Sequence, residues 1–224
     1  MPARVRARTA VAALLLAALA LLSSCSGKPP VLSRVMGRVI FVHDSSTNTN
    51  QETLGVYLVA SDPDGMENLS AFYVIDDDAQ LFWKVDSGSW VSATAEGEAW
   101  IGTSSLSMPG SGSFPPGDYR VVLQANGGAT VEDTFTVPPL DVSADKVRYP
   151  TATLEAGVIH VTGVSGSPEI WAYGKDGKFL GSAAVNGGTT PVTDLPQSTA
   201  TFRVYVWSAQ AGYGLLSGSY SLGT

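Results

Sequence analysis

Three sets of side chains in this chain have types and spacings that do chemistry. The first is acidic. Asp62, Asp64 and Glu67 fall within six positions, and Asp76, Asp77 and Asp78 are consecutive. Hard oxygen donors on loops suit Ca²⁺, although the spacing is not that of an EF-hand loop. Asp beside Gly or Pro also makes turns without any ion, so each cluster reads either as a calcium site or as turn chemistry. The second set is the histidines, His43 and His160, whose ordinary pKa of about 6.5 suits proton transfer near neutrality. They fall in different halves of the chain. A Ser-His-Asp set need not be contiguous, so a hydrolase with a scattered site is one open reading. Against it, the sequence has no Gly-x-Ser-x-Gly elbow, no His-Glu-x-x-His helix and no phosphate-binding glycine loop. The third set is aromatic: five Trp, eight Tyr and seven Phe, which must be core or contact surface.

The single cysteine, Cys25, has a different fate. Arg4, Arg6 and Arg8 precede an apolar run from Val11 to Leu22. A basic start followed by a short apolar stretch is the pattern of a secretion signal, and the stretch is shorter than the ~20 residues of a membrane-spanning helix. The run ends in Leu22-Ser23-Ser24-Cys25, which resembles the lipobox of bacterial lipoproteins. The resemblance implies a signal peptide over residues 1–24, cleavage before Cys25, and acyl chains such as palmitate on that residue. It places the protein in the cell envelope, held to a membrane by lipid. Ser26 stands where some bacteria use Asp to retain a lipoprotein in the inner membrane, which favours an outer membrane in a diderm cell. With Cys25 lipidated, no thiol nucleophile remains and no disulfide forms, so stability must come from packing. Cleavage removes three arginines and no acid, taking the formal charge from −7 to −10. Such a chain is a poor nucleic-acid binder and is not drawn to anionic lipid by its own charge.

Beyond the signal the patterning is all-β. Short runs of Val, Ile, Tyr, Phe and Thr alternate with Gly, Pro, Asn and Asp, with no sustained 3.6-residue apolar period. Residues 25–33 read as a tether. Seven strands are predicted in 34–138, with Gly102 to Gly117 as a long loop. Pro138-Pro139-Leu140-Asp141 interrupts the pattern, since proline cannot donate to a central ladder, and 139–144 reads as a semi-rigid linker. Six strands are predicted in 145–224, including one over Leu215–Leu222. Asp76 to Ala79 and Lys175-Asp176-Gly177-Lys178 are predicted turns.

Each half resembles a known module. Ser61-Asp62-Pro63-Asp64-Gly65 and Phe114-Pro115-Pro116-Gly117-Asp118-Tyr119 are similar to stretches of the immunoglobulin/fibronectin-III sandwich. That resemblance implies a tyrosine corner at Tyr119. Val161-Thr162-Gly163, Ile170-Trp171-Ala172-Tyr173 and Asp176-Gly177-Lys178-Phe179-Leu180-Gly181-Ser182-Ala183 resemble small bacterial Ig-like repeats of exported and adhesive proteins. Together they imply two tandem Ig-like β-sandwiches, usually spacers or binding surfaces rather than enzymes.

Alternation then selects a site. Trp171 and Tyr173 share one face of their strand, with Ile170 and Ala172 opposite. Arg203, Tyr205 and Trp207 share a face, with Phe202, Val204 and Val206 opposite. If these strands are neighbours, Trp171, Tyr173, Arg203, Tyr205 and Trp207 form an outward aromatic patch with the composition of a contact hot spot. The expected function is non-enzymatic: an envelope module that binds an envelope or extracellular protein, or serves as structure, with no cofactor beyond the calcium reading. A calcium-stabilised or carbohydrate-binding adhesin and an envelope hydrolase stand as alternatives.

Overall fold

A computed structural model describes residues 28–223 apart from 96 and 164. Cys25, the signal and the start of the tether lie outside the described residues. The first half contains β1 (Val31–Asp44), β2 (Thr49–Ser61), β3 (Leu69–Asp76), β4 (Leu81–Asp86), β5 (Val91–Ala95), β6 (Glu98–Leu106), β7 (Gly117–Ala125) and β8 (Thr130–Val137). The second contains β9 (Thr151–Glu155), β10 (Val158–Thr162), β11 (Pro168–Tyr173), β12 (Phe179–Ala184), β13 (Thr189–Pro191), β14 (Thr201–Ser208), β15 (Tyr213–Leu216) and β16 (Tyr220–Ser221). The chain is all-β, and among the described residues its helices are single 3₁₀ turns.

Three sheets result. One is four-stranded, in the order β4-β3-β7-β8; one is three-stranded, β13-β10-β9. The third runs through both halves as β12-β11-β14-β15-β1-β2-β6-β5, with β16 attached to β14. The halves meet where β1 pairs in parallel with β15, from Val39 opposite Tyr213 to Val42 opposite Leu216. Backbone hydrogen bonds therefore continue across the junction.

Alternating side chains close a core on one side of this large sheet. In the first half, Val39, Phe41, Leu54, Val56 and Leu58 pack against Phe72, Val74, Tyr119, Val121 and Leu123 of the four-stranded sheet. Tyr119 is fully buried and its hydroxyl donates to the Pro115 carbonyl at 2.9 Å, the tyrosine corner. In the second half, Ile170, Phe202, Val204 and Val206 pack with Ile159 and Val161. The segment after Pro139 does not swing free. Leu140, Val142, Ala144, Val147 and Tyr149 pack on the first core, and the Tyr149 hydroxyl donates to the Ala144 carbonyl at 2.9 Å.

Some elements differ from the sequence-based expectation. β6 runs to Leu106, into the predicted loop, because its partner β2 is long enough to pair with it as far as Leu54. Val91–Ala95, too polar and small to read as a strand, is one by pairing with β6. The predicted Leu215–Leu222 strand is two, β15 and β16, separated at Ser217. There the fully buried Ser217 hydroxyl accepts from the Val204 N–H and donates to the Gly218 carbonyl, both at 2.8 Å.

The large sheet also curls. Its end strands β5 and β12 lie seven inter-strand steps apart, roughly 34 Å if the sheet were flat. Yet Val91, Ala93 and Ala95 of β5 line the same cavity as Phe179 and Ser182 of β12. The sheet must coil until its two edges approach across a concave face. Glycine permits this at two places. A Cβ on Gly102 would stand 2.6 Å from the Tyr57 ring, and one on Gly214 would stand 2.8 Å from the Tyr205 ring. A side chain at either position would collide with the ring.

Candidate functional site: a concave aromatic groove

β11 and β14 are neighbours, with Trp171 opposite Arg203 and Glu169 opposite Tyr205. Ile170, Ala172, Phe202, Val204 and Val206 are buried on the core side. The opposite face carries Trp171, Tyr173, Tyr205 and Trp207, but it is not an outward patch. Trp171 and Tyr205 are only 9% and 6% exposed. They form a second apolar layer with Ile40, Val42 and Leu216, with Tyr173, Phe179 and Trp207 packed at its margin. The reason is the curl: the face that alternation turns away from the core turns inward again at the scale of the whole sheet.

The result is a groove of about 350 Å³. Trp171, Tyr173, Phe179 and Tyr205 come from the second half; Arg38, Tyr57, Trp100 and Ser104 come from the first. The Trp171 and Tyr205 rings stack with centroids 4.4 Å apart, and Phe179 meets Trp171 and Tyr173 edge-on at 5.8 Å. Arg38 lies over the Trp207 ring, its guanidinium carbon 4.5 Å from the centroid. Glu169 accepts a long hydrogen bond, 3.4 Å, from the Trp171 indole N–H. On the far rim Arg34 faces Trp100 at 5.6 Å and pairs with Glu98 at 3.1 Å. Burial raises the pKa of Tyr57, Tyr173 and Tyr205, that of Tyr173 to about 12, so all three hydroxyls are neutral near neutrality. The site offers aromatic faces, neutral hydroxyls and one charge of each sign.

Arg203, expected to serve as a contact cation, has an internal role. Its Nε donates to the Ser217 carbonyl at 2.7 Å and its Nη2 to the His43 carbonyl at 2.9 Å, tying β14 to the end of β1. Burial lowers the pKa of its guanidinium. Arg38 is the cation of the groove instead. Arg38, Tyr57 and Glu169 carry no site signal of their own in the sequence. A signal is present in β1, where Val39, Ile40, Phe41 and Val42 are consecutive apolar residues. That marks a strand buried on both faces, and both faces of β1 are indeed covered.

The acidic clusters lie elsewhere. Asp62 accepts from the Asp64 N–H at 2.8 Å and from the Asn68 amide at 3.2 Å, while Asp64 and Glu67 are exposed. Asp76 accepts from the Ala79 N–H at 2.9 Å, closing its turn. Asp77 holds Arg120 through two contacts of 3.0 Å, which lowers its pKa, and Asp78 is exposed. Among the described residues no group of three or more His, Cys, Asp or Glu converges as a metal site would.

The histidines are not brought together. His160 lies in the three-stranded sheet. His43 lines a cleft of about 230 Å³ with Ser45, Tyr149 and Ser219, where the halves meet. Its Nδ1 lies 2.9 Å from the Asn50 side-chain oxygen, and the Asn50 amide donates to Asp145 at 3.1 Å.

No family model matches this chain, and no curated protein does. Among solved structures it is similar to Tp47, the 47-kilodalton lipoprotein of Treponema pallidum, at 17% identity and a TM-score of 0.35. That similarity covers 87% of this chain and 50% of Tp47. It is also similar to dimeric latent PorU from Porphyromonas gingivalis, at 12% identity and a TM-score of 0.33, covering 88% of this chain and 21% of PorU. The chain spans about half the length of the first and about a fifth of the second. Among the described residues no helix is long and apolar enough to cross a membrane.

Proposed function

We propose that this chain is a lipid-anchored lipoprotein of the cell envelope, built from two Ig-like sandwiches fused through a shared sheet. It acts without catalysis, as a module that binds an envelope or extracellular partner in the concave aromatic groove. The observation that carries this reading is the convergence of Tyr57, Trp100, Trp171, Tyr173 and Tyr205, from both halves, on one half-open cavity. Trp, Tyr and Arg dominate binding hot spots, because rigid rings give contact area at low entropic cost. A concave apolar surface with a few placed polar groups is the usual form of a binding site. The acyl chains on Cys25 supply membrane attachment, each buried CH₂ contributing about 0.8 kcal/mol, and the acidic body stays off the anionic surface.

The test is an in-cell crosslinking pulldown of the lipidated protein beside an Ala93→Trp variant. Ala93 is exposed on edge strand β5 and lines the groove, so a bulky residue there fills the site without removing core. The expected result is a partner captured by the wild type and lost from an equally abundant, folded variant. Capture undiminished in the variant contradicts the groove.

A further inference from the structure

The reading above leaves the chemistry of the partner open, and the groove narrows it. We propose that the group held there is a neutral saccharide ring or short oligosaccharide, an inference that rests on the groove being the binding site.

Charge comes first. The ionisable pair inside the groove is Arg38 and Glu169, one of each sign. A simple cation is drawn to the aromatic faces but repelled by Arg38; a simple anion meets Glu169 and the negative faces of the rings. Arg38 is already engaged, lying 4.5 Å from the Trp207 ring. A neutral ligand meets neither penalty.

Hydrogen bonding comes second. A purely hydrocarbon ligand would bury the Tyr173 hydroxyl and the side chains of Ser182 and Glu169, which line the groove, without replacing their water, at a cost for each. Saccharide hydroxyls donate and accept, as these groups do. The Tyr173 hydroxyl, protonated near neutrality as any phenol is, presents an O–H donor as well as an acceptor, while those of Tyr57 and Tyr205 already engage Ser104 and Arg38. The C–H faces of a pyranose ring are apolar and flat, which suits stacking on the partly exposed Trp100 ring.

Size and shape come third. At about 350 Å³ the groove lies near the lower end of small-ligand sites, which run to about 1,000 Å³. One or two sugar rings fit that scale. Val91, Ala93 and Ala95 keep the β5 wall small, and the half-open mouth lets a longer glycan continue outward.

The test uses the full lipidated protein in a detergent without a sugar headgroup. An array of neutral mono- and oligosaccharides is screened, and hits are titrated by tryptophan fluorescence and calorimetry. The expected result is saturable binding of at least one neutral saccharide with a change in tryptophan emission. Affinity should fall about tenfold or more in Ala93→Trp and in Glu169→Gln, while both variants keep the wild-type melting curve. Salt should change the affinity little, because no net charge is paired. Three outcomes overturn the inference: no saccharide binds; only charged glycans bind, with strong salt dependence; or a saccharide binds equally well to both variants. If no saccharide binds but Ala93→Trp still loses a crosslinked partner in cells, the saccharide falls and the groove stands. If neither binding nor capture responds to Ala93→Trp, both fall.

Discussion

The two faces of the nine-stranded sheet obey the same alternation but are closed in different ways. At β14, Phe202, Val204 and Val206 point into a core sealed by a second sheet. One residue out of step, Tyr205 and Trp207 point to a face sealed only by the sheet's own curl. The first face mixes Val, Ile and Leu with Phe41 and Phe202 and is sealed. The second is aromatic, carries Arg38 and Glu169, and stays half open. Burial by a partner sheet interdigitates side chains at close-packed density. Burial by curling leaves a cavity where the edges do not meet. The lesson is that a strand's solvent side is decided by the whole sheet, not by the strand.

That contrast has measurable consequences. Phe202→Ala, at a sealed position, should destabilise the protein by about 3–5 kcal/mol in chemical denaturation, since transfer and cavity costs add. Trp171→Ala, on the open face, should cost about 2 kcal/mol, because water entering the groove removes most of the cavity cost. Equal losses would mean that the concave face is as closed as the core. Gly214→Ala inserts a methyl group against the Tyr205 ring and should cost about 1–2 kcal/mol by overpacking, while weakening whatever the groove binds.

Alkaline pH tests the buried tyrosines of both faces, since burial also raises the pKa of Tyr119 in the first core. Burial raises the folded-state pKa of Tyr57, Tyr173 and Tyr205 above the unfolded value near 10. Below pH 10 both states keep the phenolic protons, and the stabilisation is complete. As pH rises from 10 through the folded-state values, about 12 for Tyr173, the unfolded chain loses protons that the folded chain keeps, so stability falls. Denaturation midpoints should drop over that window, and Tyr173→Phe should flatten the slope. The smallest effect concerns calcium. The carboxylates of Asp62 and Asp77 are taken by Asp64, Asn68 and Arg120, so melts with calcium and with EDTA should have equal midpoints. A higher midpoint with calcium would restore Asp62, Asp64, Glu67 and Asp76 to Asp78 as ligands.

Much of this was legible in the residues. Alternation puts Ile170 and Ala172 on one face of their strand and Phe202, Val204 and Val206 on one face of theirs, while the adjacency of the two strands and the tyrosine corner at Tyr119 come from the resemblance to the Ig-type sandwich. The Asp-Gly turn at 176–177 reads from local geometry alone, with Gly177 at φ 76°. What escaped is non-local. The parallel pairing of β1 with β15 joins segments about 170 residues apart, and no short-range pattern encodes that partner. The curl belongs to the whole sheet, so neither the inward turn of Trp171 and Tyr205 nor their convergence with Arg38 and Tyr57 reads from any one strand. Arg203 was misassigned because its acceptors, the carbonyls of His43 and Ser217, are main-chain atoms.

The most direct test compares the two exposed sides of the molecule in cells. A photo-crosslinking residue is placed at Ala93, on the groove, and in a second strain at Thr134, on the outer four-stranded sheet. Discrete adducts from position 93, with none from position 134, are the predicted result. Adducts from position 134 and none from position 93 would contradict the concave groove as the recognition surface.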